Sequence, residues 1–291
     1  MTAPQLVRGL SELAPNYDGF ILDQWGVLHN GSKPYPGAIE AVRALRAAGK
    51  RVALLTNSGR RTAHNQRQLV RMGFDLALFD GVVTSGEAAW LALKHGDDPR
   101  LVGLGKRAFA ITRGNDQEVT ADLGLELVPD PDRADFIYLT GVDSPPLTLA
   151  DFEPIIQAGV ARGLPMICAN PDLVAVTGRG LSTAPGSVAK RYAELGGTVW
   201  YYGKPNPPIY RAVLRVLEPL PVQRICAVGD SLEHDIVGAN GAGIDACFIV
   251  EGIHGHELPG PAEDQRLPEA VERLAAHHHA SPRYVLRRLA W

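Results

Sequence analysis

The chain is poor in cysteine, in lysine and in long apolar runs, and each shortage closes off a class of protein. Cys168, Cys226 and Cys247 are an odd, widely spaced set in 291 residues, which fits neither a disulfide framework nor a cysteine zinc site. No apolar stretch approaches the roughly 20 residues that span a bilayer. The N-terminal segment has no apolar core behind a basic start, so no signal peptide is evident. An excess of one charge is missing too: 29 basic and 32 acidic residues leave −3. That balance does not suit a chain that neutralises many phosphates of a nucleic acid. The expectation is a soluble, reduced, cytoplasmic protein with no membrane or nucleic-acid partner.

Hydrophobic residues make up 45% and charged residues 21%, enough to bury a full core. The length suits two domains of about 100–200 residues each. Only 6 of the basic residues are lysines, against 23 arginines, so a lysine in a special position stands out.

Short apolar runs alternate with helical patterns from end to end, which predicts parallel α/β structure. Strands are expected at Gly19–Leu22, Val52–Leu55, Gly81–Thr84, Leu101–Leu104, Ala108–Thr112, Phe136–Thr140, Pro165–Ala169, Thr198–Tyr202, Arg224–Val228 and Ala246–Val250. Helices are expected after Pro36-Gly37 and over Thr62–Met72, Gly86–Lys94, Leu149–Arg162, Ser187–Leu195, Pro208–Leu217 and Glu233–Asn240. His95–Pro99 reads as a linker.

Four polar marks stand at strand ends, where open parallel sheets bind ligands. Asp23 ends Phe20-Ile21-Leu22. Thr56 ends Leu54-Leu55 and leads into Asn57-Ser58. Lys204 follows the strand before Gly203-Lys204-Pro205. Asp230 ends Val228-Gly229 and leads into Ser231, with Asp235 one helical turn beyond. Carboxylates gathered at one sheet edge repel each other unless a cation neutralises them, and an oxygen-only set favours Mg²⁺. An ionised Asp beside a metal can attack phosphorus. A lysine, a hydroxyl and the N–H groups after Thr56 would stabilise the charge on a transferring group. Each mark alone is an ordinary turn or cap; their order along the chain is what makes a candidate site.

In that order and spacing the chain resembles the haloacid dehalogenase superfamily of hydrolases, in the branch with a large cap inserted between the second and third motifs. This is the NagD-like and pyridoxal-phosphate-phosphatase-like branch. The resemblance implies a Rossmann-like three-layer core with a parallel sheet, plus an inserted α/β cap. It places the core at residues 1–96 and 199–291 and the cap at 97–198. Asp23 matches the nucleophile, and Thr56, Lys204 and Asp230 with Asp235 match the later motifs. Asn57 and Ser58 then bind phosphate, and Ser231 and Asp235 support the site. The resemblance also implies Mg²⁺ held by Asp23, Asp230 and the backbone carbonyl of Trp25. Its implied chemistry is hydrolysis of a small phosphorylated metabolite through an aspartyl-phosphate. Asn170-Pro171-Asp172 resembles a segment such caps carry, and capped relatives pair through the cap, so a homodimer is an expectation.

Trp25 departs from the pattern. Phosphatases of this branch carry a second Asp there, which protonates the leaving oxygen, and indole cannot. Three readings follow: a phosphatase with a substitute acid or an undemanding leaving group, a dehalogenase-like hydrolase attacking carbon, or a phospho-ligand binder of low turnover. His29 is the nearest substitute acid by sequence, although a loop role is the preferred reading. Asp172, Arg179 and Lys190 are candidate cap residues facing substrate, each with an ordinary surface alternative. His254, His256, Glu257 and the His277–His279 run read as solvated surface, as do Arg283, Arg287 and Arg288. Gly238–Gly243 reads as helix termination and close packing.

Overall fold

The computed structural model describes residues 3–96, 98–143, 148–177 and 180–291. Its contacts divide the chain into one unit of Met1–Thr56, Gln66–Val83 and Lys204–Trp291, and a second of Asn57–Asn65 and Thr84–Gly203.

The first unit is built on a seven-stranded sheet. Its strands are β1 (Gln5–Leu6), β2 (Gly19–Leu22), β3 (Arg51–Thr56), β4 (Gly81–Thr84), β12 (Ile225–Gly229), β13 (Asp245–Ile249) and β14 (Tyr284–Leu286), in the order β1-β14-β13-β12-β2-β3-β4. The pairings β2–β3, β2–β12, β12–β13, β13–β14 and β1–β14 are all parallel. Strands buried on both faces read as unbroken apolar runs, and alternate residues go to opposite faces. Phe20, Leu22, Val52, Leu54, Cys226 and Val228 pack on one face with Ala38, Ala41, Val42 and Leu45 of α1 (Ala38–Ala47). Ile21, Ala53, Leu55, Ile225, Ala227 and Phe248 pack on the other with α6 (Pro207–Leu217) and α8 (Leu267–His277). The result is three layers, helix on sheet on helix.

The chain runs outward from β2 through β3 to β4, then resumes at β12 on the other side of β2. The order reverses between β2 and β12, and such a switch point opens a crevice at the carboxyl ends of the strands. Asp23 and Asp230 flank that crevice.

The second unit carries a five-stranded sheet, β11-β8-β7-β5-β6, from β5 (Arg107–Ile111), β6 (Glu126–Leu127), β7 (Phe136–Leu139), β8 (Met166–Cys168) and β11 (Val199–Tyr201). Its pairings are all parallel. Ile137, Leu139, Met166 and Cys168 face Phe152 and Ile156 of α4 (Leu149–Ala161) and Val188, Ala189 and Tyr192 of α5 (Pro185–Glu194). Ala108, Phe136, Tyr138 and Ile167 face Ala89 and Ala92 of α3 (Ser85–His95). Helix α3 therefore packs with the second sheet, and the sequence boundary after residue 96 falls inside this unit. Thr84 caps α3 by accepting the Glu87 N–H at 3.0 Å, and Gly96 ends it in the left-handed region.

Some expectations need correction. Leu101–Leu104 is no strand: Pro99–Leu101 is a short 3-10 turn started by Asp98 and Pro99, and Leu101 is drawn into the apolar face under α3. The stretch from Glu233 opens as a single π turn, Leu232–Ile236, before α7 (Val237–Gly241). The antiparallel pair β9 (Val174–Thr177) and β10 (Gly180–Thr183) had no strong sequence signal. The C-terminal stretch supplies α8 and a buried strand between β1 and β13. Gly238 packs against the Tyr210 ring and Gly243 takes a positive φ, as helix termination requires. No helix among the described residues is long and apolar enough to cross a membrane.

Phe20 is wholly buried in the middle of the first sheet. Phe20→Ala should cost about 3–5 kcal/mol of stability, read as a lowered urea midpoint at unchanged slope.

Candidate active site

Three neighbouring strands of the first unit deliver the site. The pairing runs Leu22 with Val228 and Leu22 with Leu54, so the next residues of each strand emerge together at the carboxyl edge. The Asp23 N–H continues the ladder by donating to the Val228 carbonyl at 2.9 Å. The chain then turns tightly: the Leu28 and His29 N–H groups both donate to the Gln24 carbonyl, at 2.8 and 3.1 Å. Gly26 occupies the left-handed region at φ 81° and backs onto Asp230, where any Cβ would overlap the carboxylate. Only glycine fits that position.

Asp23, Asp230 and Asp235 are all buried, and one carboxylate oxygen from each lies within 4.8 Å of the others. Among the described residues this is the one converging set of three or more such groups. The Lys204 ammonium is buried with them, 2.6 Å from Asp23 Oδ1 and 2.7 Å from Asp235 Oδ1. Asp235 also accepts the Ser231 N–H at 3.1 Å through Oδ2, and Asp230 Oδ2 accepts the Ile253 N–H at 2.8 Å. Ser231 caps the π turn, its Oγ accepting the His234 N–H at 3.2 Å. Thr56 is buried as the last residue of β3.

Burial pushes the Asp23 carboxyl up to about 7, the nearby Asp235 adds to this, and Lys204 opposes it. Asp230 is raised well above its ordinary value, first by burial and then by the charge of Asp23. Burial alone would lower the Lys204 ammonium, but Asp23 and Asp235 outweigh it and hold it well above its usual value. Three carboxylates against one ammonium leave two negative charges uncompensated when all are ionised. A buried, oxygen-only set with that deficit fits a divalent cation of the Mg²⁺ kind, and Asp23 with Asp230 would hold it.

Trp25 takes no place among these charges. Its indole is 43% exposed, lies across Gly31 and meets the His29 ring edge-on at 5.9 Å. His29 is buried, its Nδ1 accepts the Gly31 N–H at 3.1 Å, and burial lowers its pKa to about 4. A neutral imidazole engaged in its own loop organises that loop.

The other candidates belong to the second unit. The Asn57 side chain donates to Asp172 Oδ1 at 2.7 Å and accepts from the Ser85 hydroxyl at 3.3 Å. Ser58 Oγ accepts from the Asn65 amide at 3.2 Å. Lys190 is exposed and faces Glu194 at 3.9 Å, an ordinary surface pair. Arg179 lies outside the described residues. The solvated reading fails for His254, which is buried, 2.7 Å from Glu257 and edge-on to the His278 ring at 5.2 Å. Sequence reasoning also missed Tyr210, whose hydroxyl donates to the Asp235 carbonyl at 3.1 Å, and the Ile253 N–H. Neither a helix-face tyrosine nor a backbone donor leaves a motif.

A family model for haloacid dehalogenase-like hydrolases matches residues 20–126, and a HAD-hydrolase-like model matches residues 201–289. The chain belongs to the haloacid dehalogenase-like hydrolases. A hydrolase of that family from Brucella suis has the same architecture: TM-score 0.83, 30% identity, covering 98% of this chain and all of that one. D-glycerol 3-phosphate phosphatase of Mycobacterium tuberculosis is 29% identical over 273 residues, 90% of this chain and 71% of that protein. A glycerol phosphate phosphatase from the same organism, solved in complex with magnesium, gives a TM-score of 0.63 at 26% identity. That match covers 83% of this chain and 70% of the other.

The raised Asp23 carboxyl sets a pH dependence. Its folded value near 7 lies above the ordinary 3.8, so between those limits the folded chain holds more protons than the unfolded one. Stability from this group is therefore greatest at low pH and falls as pH rises toward 7. A bound cation requires the ionised form and reverses that trend. Melting temperatures in EDTA and in Mg²⁺ should diverge from pH 5 to pH 8. Asp23→Asn should flatten the EDTA curve and shrink the divergence.

Proposed function

We propose that the protein is a Mg²⁺-dependent phosphatase of a small phosphorylated metabolite, acting through an aspartyl-phosphate on Asp23. The observation that carries this reading is the buried quartet of Asp23, Lys204, Asp235 and Asp230 at the switch point of the sheet. Relatives that are phosphatases, one of them solved with magnesium, support it.

Asp23 is the nucleophile. Its carboxylate attacks phosphorus, the bond to the leaving oxygen breaks, and water then cleaves the acyl phosphate to release inorganic phosphate and restore the carboxylate. Lys204 fixes the attacking carboxylate by its 2.6 Å contact and offsets charge on the transferring group. Asp235 anchors Lys204 from the other side. Thr56, Asn57 and Ser58 supply donors for the phosphoryl oxygens. Asp23, Asp230 and the Trp25 carbonyl would hold Mg²⁺, which when bound shields the phosphate charge from the carboxylates. Substrate choice we assign to the inserted segment, read from sequence as 97–198.

A second reading, a phospho-ligand binder of low turnover, is favoured by one observation: the indole of Trp25 stands where a proton donor is expected, and His29 is held neutral within its own loop. A panel of phosphate esters with and without Mg²⁺ separates the two. The phosphatase reading expects phosphate release that needs Mg²⁺ and disappears in Asp23→Asn. Thermal stabilisation by an ester with no release would instead establish the binder.

Absence of the acid makes a sharper prediction. One general acid is worth about 10²–10⁴-fold, so Trp25→Asp should speed alkyl phosphate hydrolysis by up to about 10²-fold. Aryl and acyl phosphates, whose leaving groups depart without a proton, should gain little. The indole is largely outside the core, so the fold should survive, which a melting curve checks. Equal gains for aryl and alkyl esters would show that another residue supplies the proton.

A further inference from the structure

The segment that follows Thr56 is held by an unusual number of directed contacts, all within the second unit. Arg60 reaches Asp116 at 2.6 Å through Nη1 and the Arg113 carbonyl at 3.1 Å through Nη2. Arg61 grips Glu87 with a two-pronged fork, Nε to Oε2 at 2.7 Å and Nη2 to Oε1 at 2.9 Å. The Arg61 guanidinium also lies over the Trp90 ring, 3.7 Å from its centre. Glu87 Oε2 accepts the Thr62 N–H at 3.0 Å as well, seating the start of α2 (Thr62–Arg71). Burial opposes ionisation of Glu87, yet Arg61 and the Thr62 N–H together hold its carboxyl below the usual range.

Backbone contacts close the frame. Gly86 N–H donates to the Ser58 carbonyl at 3.0 Å, and the Thr84 hydroxyl donates to the Arg60 carbonyl at 2.8 Å. Gly59 runs so close to the Thr140 carbonyl that a Cβ would overlap it. Two ion pairs that are partly open to solvent add little to stability. A bidentate guanidinium fork stacked on an indole adds geometric definition instead, and phosphoryl binding depends on donors fixed before the ligand arrives.

We propose that Arg60 and Arg61, held by Asp116 and Glu87, are positioning residues that set the Asn57–Ser58 segment in the geometry that binds a phosphoryl group. This rests on the phosphatase reading for the role of Asn57 and Ser58, and it assigns that role's control to other residues of the second unit.

The test is calorimetric binding of inorganic phosphate in the presence of Mg²⁺, with KM and kcat for the best ester of the panel beside it. Arg61→Ala should weaken phosphate binding about tenfold or more and raise KM in parallel. Arg61→Lys, which keeps the charge and loses the fork, should fall between Arg61→Ala and the parent. Glu87→Gln should follow Arg61→Ala, and serves in its place if Arg61→Ala does not fold. A folded variant that binds phosphate within twofold of the parent, with only its melting temperature lowered, overturns the proposal. The two readings fail separately: a parent chain that binds phosphate but releases none refutes the phosphatase, and the calorimetry still decides the clamp.

Discussion

A buried lysine ammonium is the constraint around which the first unit is arranged. Lys204 lies between Asp23 and Asp235, with Asp230 alongside, all four buried. Removing one partner from such a group leaves an uncompensated buried charge and typically costs about 3–5 kcal/mol. The surroundings follow from that. Gly26 and Gly252 give Asp230 room that no side chain could share, Ile253 and Ser231 lend it and Asp235 backbone N–H donors, and Tyr210 braces the turn that carries Asp235. The quartet is poor as a stabilising device, because the Asp23 and Asp230 carboxyls resist ionisation where they sit. Strongly shifted carboxyls gathered in one cluster mark a candidate functional site.

The two units illustrate one architecture put to different ends. Both stack helices on both faces of a parallel sheet, and both bury nearly continuous apolar strands. In the first, strand ends carry Asp23, Thr56 and Asp230. In the second, strand β8 ends in Cys168 and leads to Asn170-Pro171-Asp172, where Asp172 accepts from Asn57. The Asn57–Asn65 segment follows β3 directly and belongs to the second unit.

How much was legible in sequence depended on whether the signal was local. Strands β2, β3 and β12 could be read because four or five buried residues run directly into a polar one, and Asp23, Thr56 and Asp230 were found for the same reason. Lys204 was visible through its rarity and its Gly-Lys-Pro setting. The Arg61–Glu87 fork could not be read, since its partners are separated in sequence and each alone is a common surface residue. Leu101–Leu104 misled because its apolar content matched a strand, whereas Pro99 and Gly103 favour a turn. The buried state of His254 depends on Phe248 and His278, neither of which its neighbours in sequence announce.

The reversal of strand order between β2 and β12 also bears on how the chain assembles. Strand β2 is synthesised well before its neighbour β12, which begins only at Ile225. Pairings so distant in sequence form slowly, because a long loop must close before any contact rewards it. The second unit needs no such closure for most of its sheet, whose strands follow one another between Arg107 and Tyr201. Until β12 and the turn after it emerge from the ribosome, Asp23 has neither Asp230 nor Asp235 beside it, and the Val228 carbonyl that anchors its backbone is absent. A chain that stops short of β12 therefore carries Asp23 without Asp230 or Asp235, and the candidate site is complete only once Asp235 has been added.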